Sequence, residues 1–160
     1  MLLNLGYILL IIALLLVLYF DMKKRMIHII LPILIFCFSM LINYVSTNLK
    51  LIDTIYNIGF LLINILGVIL YFSLKTKALI NPIDRFIGLG DIVFFIAITP
   101  LFKLETFIPF FIIGLLFSLL LYVIVLLFKK MKTIPLAGYL SLYLVINILI
   151  KNVFNINMSI

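Results

Sequence analysis

Asp21 and Asp91 are the residues of this 160-residue sequence best placed to do chemistry. The chain is 68% hydrophobic and 11% charged, and holds only five acids: Asp21, Asp53, Asp84, Asp91 and Glu105. Carboxylates at apolar segments are expensive, and by default each raises a functional hypothesis. Asp21 follows the apolar run from Leu2 to Phe20, and Asp91 opens another in Gly88-Leu89-Gly90-Asp91. Two carboxylates a few ångströms apart cannot both ionise easily, so one keeps a proton. The ionised member can activate water as a general base. The protonated member can polarise a scissile carbonyl and later serve the leaving amine. No metal or organic cofactor is needed for that chemistry, and none is expected.

Local features refine the pair. Asp91 at a helix N-terminus sees the positive dipole end, which favours its ionised form, and Asp21 at a helix C-terminus sees the negative end. Lys23, Lys24 and Arg25 oppose the second effect, and the pair can also titrate as a unit. Gly88 and Gly90 lack side chains, so a substrate strand or another helix can approach the backbone beside Asp91. As single residues, Asp21 reads as a helix-end partner of Lys24 or Arg25, and Asp91 as an N-cap after a glycine turn. Asp84 with Arg85 reads as a solvated loop pair. His28 reads as an interfacial histidine at a helix start.

Such a pair must be positioned by apolar helices. The mean hydropathy is +1.47, and a soluble domain of this size would carry about 25% charge. The apolar runs are long and do not alternate with period two, which excludes a barrel and leaves a helical bundle. The expected fold is all-α: a polytopic membrane protein with a bundle of six transmembrane helices, one domain over residues 1–160. Six segments are expected, at roughly Leu2–Phe20, His28–Tyr44, Ile52–Leu74, Gly90–Phe102, Phe107–Phe128 and Ala137–Ile150. The fourth and sixth are short for a span of about 20 residues.

Charge placement orients these segments. With the N-terminus outside, Lys23, Lys24, Arg25, Lys75, Lys77, Arg85, Lys129, Lys130 and Lys132 fall inside, and Lys50, Lys103 and Lys151 fall outside. That bias follows the positive-inside rule. The expectation is a multi-pass protein of the cell membrane with both termini outside. Two crossings separate Asp21 from Asp91, so both lie at the cytoplasmic rim, while Asp53 and Glu105 lie at the other face. Basic residues follow the first apolar run and none precedes it, the reverse of a signal peptide. The net charge of +7 therefore reads as an orientation signal facing the lipid bilayer, and nucleic acid is not an expected partner. The lone Cys37 reads as a small packing residue.

Three stretches carry a family resemblance: Asp21-Met-Lys-Lys-Arg-Met-Ile27, then Gly88-Leu-Gly-Asp91-Ile-Val, then Ile134-Pro135-Leu-Ala-Gly138-Tyr-Leu. In this order, over nearly the whole chain, they resemble the type IV prepilin peptidases, which are GxGD aspartic proteases. His28-Ile29 stands where that family has Pro-Asn, and Val93 where it often has Lys. The cysteine-bearing cytoplasmic domain of its longer members is absent. The chain thus resembles a minimal, peptidase-only member. The resemblance implies Asp21 and Asp91 as catalytic residues, with Gly88, Gly90, Ile134 and Pro135 shaping the site. It also implies prepilin-like or pseudopilin-like membrane proteins as substrates, cut after a basic leader at the cytoplasmic face. A looser echo of presenilin and signal-peptide peptidase lies in Tyr19-Phe-Asp21, Gly88–Asp91 and Pro135-Leu-Ala137. A small transporter, channel subunit or assembly protein is the reading from another class, with the carboxylates as ion or proton ligands.

Overall fold

The computed structural model describes residues 2–46, 51–76, 88–128 and 134–154. Six helices and no strand occur among them: α1 (Leu2–Lys24), α2 (Ile30–Ser46), α3 (Leu51–Thr76), α4 (Leu89–Ile98), α5 (Leu104–Phe128) and α6 (Leu136–Phe154). The fold is an all-α bundle, as the unbroken apolar runs require. Three helices are long and apolar enough to cross a membrane, over Leu3–Lys24, Leu51–Lys75 and Leu104–Phe128. The apolar stretches Ile30–Val45, Leu89–Leu101 and Leu136–Lys151 are shorter. Pro82, Asp84 and Arg85 lie outside the described residues, as do Lys50, Lys77, Lys129, Lys130 and Lys132.

Helix ends differ from expectation by up to four residues, and two of them do so for a local reason. α1 continues one turn past Phe20, so Asp21 sits inside its last turn. Nothing in Asp21-Met-Lys-Lys breaks a helix, and the stop comes at Arg25, which takes a left-handed φ of 55°. The Arg25 N–H donates to the Asp21 carbonyl at 3.1 Å, the single bond of an αL cap. α4 instead stops early, because Pro100 supplies no N–H and its ring opposes a continuing helix. The backbone tightens into a 3-10 turn over Thr99–Leu101. At about 1.5 Å per residue, the ten residues of α4 rise only about 15 Å, half the hydrocarbon thickness.

That break frees carbonyls in an apolar interior, and two buried asparagines satisfy them. The Asn57 amide of α3 donates to the carbonyls of Thr99 at 3.0 Å and Phe102 at 2.8 Å. The Asn43 amide of α2 donates to the Pro100 carbonyl at 2.9 Å. Asn57→Ala would take this donor from the Phe102 carbonyl and leave the Thr99 carbonyl only the Phe102 N–H, at 3.3 Å. The variant is expected to lose about 2 kcal/mol of stability, read as a lowered melting temperature in detergent. An unchanged melting temperature would mean that the carbonyls find other donors.

The core follows helical spacing. Leu10, Leu14 and Val17 of α1 are fully buried, as are Ile35 of α2, Phe94 and Ile98 of α4, and Leu140 and Leu144 of α6. Leu10, Leu14, Val17 and Asp21 recur at intervals of four, three and four, so Asp21 falls on the buried stripe of α1. Asp91 shares a face with Phe94 and Ile98 in the same way. α1 packs chiefly on α6 and α2, and α5 packs on α6. The α5–α6 crossing is close at Gly114, where a Cβ would stand 2.7 Å from Leu140 Cδ2. Small residues permit such approaches between apolar helices.

The outward faces are apolar. Leu62, Leu66 and Leu70 of α3 and Leu116, Leu120, Val123 and Leu127 of α5 are exposed, where a water-facing helix would carry a polar face. Cys37 corrects an expectation: it is exposed on α2 and does not pack in the interior. Its neighbours Phe36 and Phe38 turn toward the core, and the helical rotation of 100° per residue leaves Cys37 outside.

Candidate active site

The first turn of α6 creates the demand that organises this site. The first amides of any helix lack intrahelical partners. They are usually met by a Ser, Thr, Asp or Asn side chain at the N-cap. Here Pro135 precedes the helix, and its carbonyl accepts from the Tyr139 N–H at 3.1 Å. Its ring offers no side-chain acceptor. The acceptors come from elsewhere in the chain. The Gly138 N–H donates to Asp21 Oδ2 at 2.7 Å, and the Ala137 N–H donates to Asp91 Oδ1 at 2.9 Å.

Asp21 and Asp91 therefore meet on adjacent residues, whose Cα atoms are about 3.8 Å apart. The end of α1, the start of α4 and the start of α6 share one end of the bundle, the arrangement that two intervening crossings require. Asp21 is 6% exposed, and Asp91 is half-buried. Withdrawal from water opposes negative charge on both carboxylates, and each accepts a bond from an N-terminal amide, which favours it. Each also feels the other's charge or a neighbouring cation: Asp91 feels Asp21, and Asp21 feels Arg25.

Asp91 is not the N-cap of α4. Gly88 holds that position with extended backbone, and Asp91 stands three residues on. Its carboxylate reaches back to the Gly88 amide, half of a capping box. Both glycines leave room for side chains of the chain itself. A Cβ on Gly88 would fall 3.0 Å from Asp91 Oδ2, and one on Gly90 would fall 3.2 Å from Ile27 Cδ1. The neighbour that approaches Gly90 is thus the α1–α2 connection. Of the two Ile-Pro residues, Pro135 is buried and Ile134 exposed.

The basic residues after Asp21 fold back on α1. Lys23 Nζ donates to the Tyr19 hydroxyl at 2.7 Å, and Lys24 Nζ lies 5.4 Å from the centre of the Phe20 ring. His28 is exposed and packs edge-on against Phe20 at 5.6 Å. Asp53 and Glu105 occupy the first turns of α3 and α5, where the dipole favours acids. Among the described residues, no group of three or more His, Cys, Asp or Glu side chains stands together.

Ala137 and Gly138 are the members that motif reading leaves out. They act through backbone amides, and Gly138 also acts through the room it leaves: a Cβ there would stand 3.1 Å from Asp21 Oδ2. One signal for them exists in the sequence. A helix opening on Ile-Pro-Leu-Ala-Gly carries no side-chain acceptor of its own, so acids must come from other segments. Comparison with protein-family models, with curated proteins and with solved structures returns no match.

Proposed function

We propose that the chain is a membrane-embedded aspartic endopeptidase of the prepilin-peptidase kind. It removes basic leader peptides from prepilin-like membrane proteins at the cytoplasmic face, using Asp21 and Asp91. The observation that carries this reading is the seating of both carboxylates on the adjoining amides of Ala137 and Gly138. A pair held this way shares one proton. The ionised member takes a proton from water, and the water oxygen attacks the scissile carbonyl. The protonated member stabilises the resulting oxygen and then passes its proton to the leaving nitrogen. The fixed amides keep the oxygens oriented through both steps, so little reorganisation accompanies the reaction.

The test uses the full chain in lipid vesicles with a prepilin-like substrate whose basic leader precedes a hydrophobic helix. A single cut at the junction of leader and helix is expected. No cut would overturn the reading, and a cut inside the helix would favour the presenilin-like alternative. Ion or proton flux that vanishes in Asp91→Asn, without proteolysis, would favour transport.

The shared proton also sets a pH dependence. Raising the pH ionises both carboxylates and removes the proton needed at the carbonyl. Lowering it protonates both and removes the base. The cleavage rate is expected to fall on either side of a maximum, with apparent pKa values that belong to the pair. A rate that holds constant on either side, while the protein stays folded, would contradict the shared-proton mechanism.

A further inference from the structure

Contacts along the bundle set the depth at which each helix passes the aspartate pair. Asn57 of α3 bonds the Thr99 carbonyl just past the end of α4. Asp91 lies eight residues before Thr99, a rise of about 12 Å. The same rise along α3 from Asn57 arrives beside Asn64. On α5, the Phe111 ring meets Phe95 at 4.9 Å between centroids, and one further turn toward Asp91 arrives beside Leu115. α1, α4 and α6 end or begin near that depth, whereas α3 and α5 run on to Thr76 and Phe128. Their inner ends project roughly 18 Å past the pair.

These inner ends bury nothing: no residue from Leu62 to Lys75 or from Leu119 to Phe128 is buried. On α3 the change falls within one stripe. Thr54, Asn57 and Leu61 face the bundle and are buried. Further steps of three and four reach Asn64 and Val68, of which Asn64 is exposed and Val68 half-buried. The bundle-facing side of α3 thus opens onto a gap at the depth of Asp91. The Asn64 amide donates to the Phe60 carbonyl of its own helix at 2.8 Å, which leaves the side-chain oxygen as an acceptor.

We propose that this side of α3, at Asn64 and Val68, receives the hydrophobic helix of the substrate, and that the Asn64 side-chain oxygen accepts a backbone N–H from its first turn. A helix that begins at a cleavage point has first-turn N–H groups without intrahelical partners. Away from water such groups need an acceptor, and Asn64 offers one at the depth of the pair. A lipid acyl chain would cover Val68 equally well but has nothing to donate to Asn64. The identity of the occupant rests on the endopeptidase reading.

The test places the photo-crosslinker p-benzoylphenylalanine in place of Val68, or of Ile63 on the far side of α3, in the full chain carrying Asp91→Asn. Each is illuminated in vesicles with the prepilin-like substrate. The probe at Val68 is expected to capture the substrate within its hydrophobic helix, and the probe at Ile63, which is 70% exposed, is not. Equal capture from both positions, or capture from Val68 of lipid or a second copy alone, would overturn the proposal. Asn64→Leu in the otherwise wild-type chain should raise KM about fivefold with kcat and melting temperature unchanged, the size of one neutral hydrogen bond. A wild-type KM would remove Asn64 from the docking site. A wild-type chain that cuts nothing, beside selective capture from Val68, would sink the endopeptidase reading and leave the docking site standing. Cleavage without capture would do the reverse.

Discussion

Asp21→Asn and Asp91→Asn are each expected to lower leader removal by about 10³-fold or more while the bundle stays folded. The reasoning separates two roles that the carboxylates hold at once. Each carboxylate accepts an N–H from the first turn of α6, at 2.7 Å for Asp21 and 2.9 Å for Asp91. An asparagine carbonyl can accept the same bond, so the cap survives in weaker, uncharged form. It can neither take a proton from water nor share one with its neighbour. Alanine removes both roles and leaves a buried amide unpaired, at a cost of about 1–3 kcal/mol. The informative pattern is therefore an asparagine variant that melts near the wild type and does not cleave, beside an alanine variant that melts lower. Full processing by both asparagine variants would reduce the pair to a structural cap.

Gly138→Ala should be the most damaging single methyl group near the site. Its Cβ would stand 3.1 Å from Asp21 Oδ2 and 3.3 Å from Asp21 Cβ. The second neighbour matters more than the first. An oxygen can swing aside, but a Cβ moves only with its backbone, and α1 is packed along α6. Either the two helices separate by a few tenths of an ångström, or Asp21 leaves the Gly138 amide. A displacement of about 1 Å at a reacting group can cost 10²-fold in rate. A fall of that order in kcat is expected, with a smaller loss of stability. Gly67→Ala is the matched control, because a Cβ there meets nothing within 4 Å. It should leave processing unchanged and raise stability by about 0.5–1 kcal/mol through helix propensity. Equal activity in the two alanine variants would mean that Asp21 need not face the Gly138 amide.

Both substitutions probe a contact that spacing along the chain could not supply. The all-α class was legible in the composition, since so few charges cannot cover a water-soluble surface. The candidate pair was legible too. Asp21 and Asp91 are acids at the ends of apolar runs, and an even number of crossings returns the chain to the same end of the bundle. The stripe Leu10, Leu14, Val17 and Asp21 even states which way Asp21 faces. Helix ends were less legible where backbone chemistry acted against composition. α1 keeps its last charged turn because Arg25 takes the left-handed conformation, and α4 loses its last turn to Pro100.

What the amino-acid sequence determined by itself was therefore the helical class, the pair of acids and the end of the bundle they share. Each follows from hydrophobicity and helical period, which are properties of short stretches. The tertiary structure alone decided what brings the two carboxylates together. A proline at the head of α6 leaves two adjacent amides without local acceptors, and burial makes unpaired amides costly. Two acids from distant helices meet that need, and meeting it sets them side by side. The same packing set Asp91 beside Gly88 and Ile27 beside Gly90. It also brought in Ala137 and Gly138, whose parts depend on neighbours far away in the sequence.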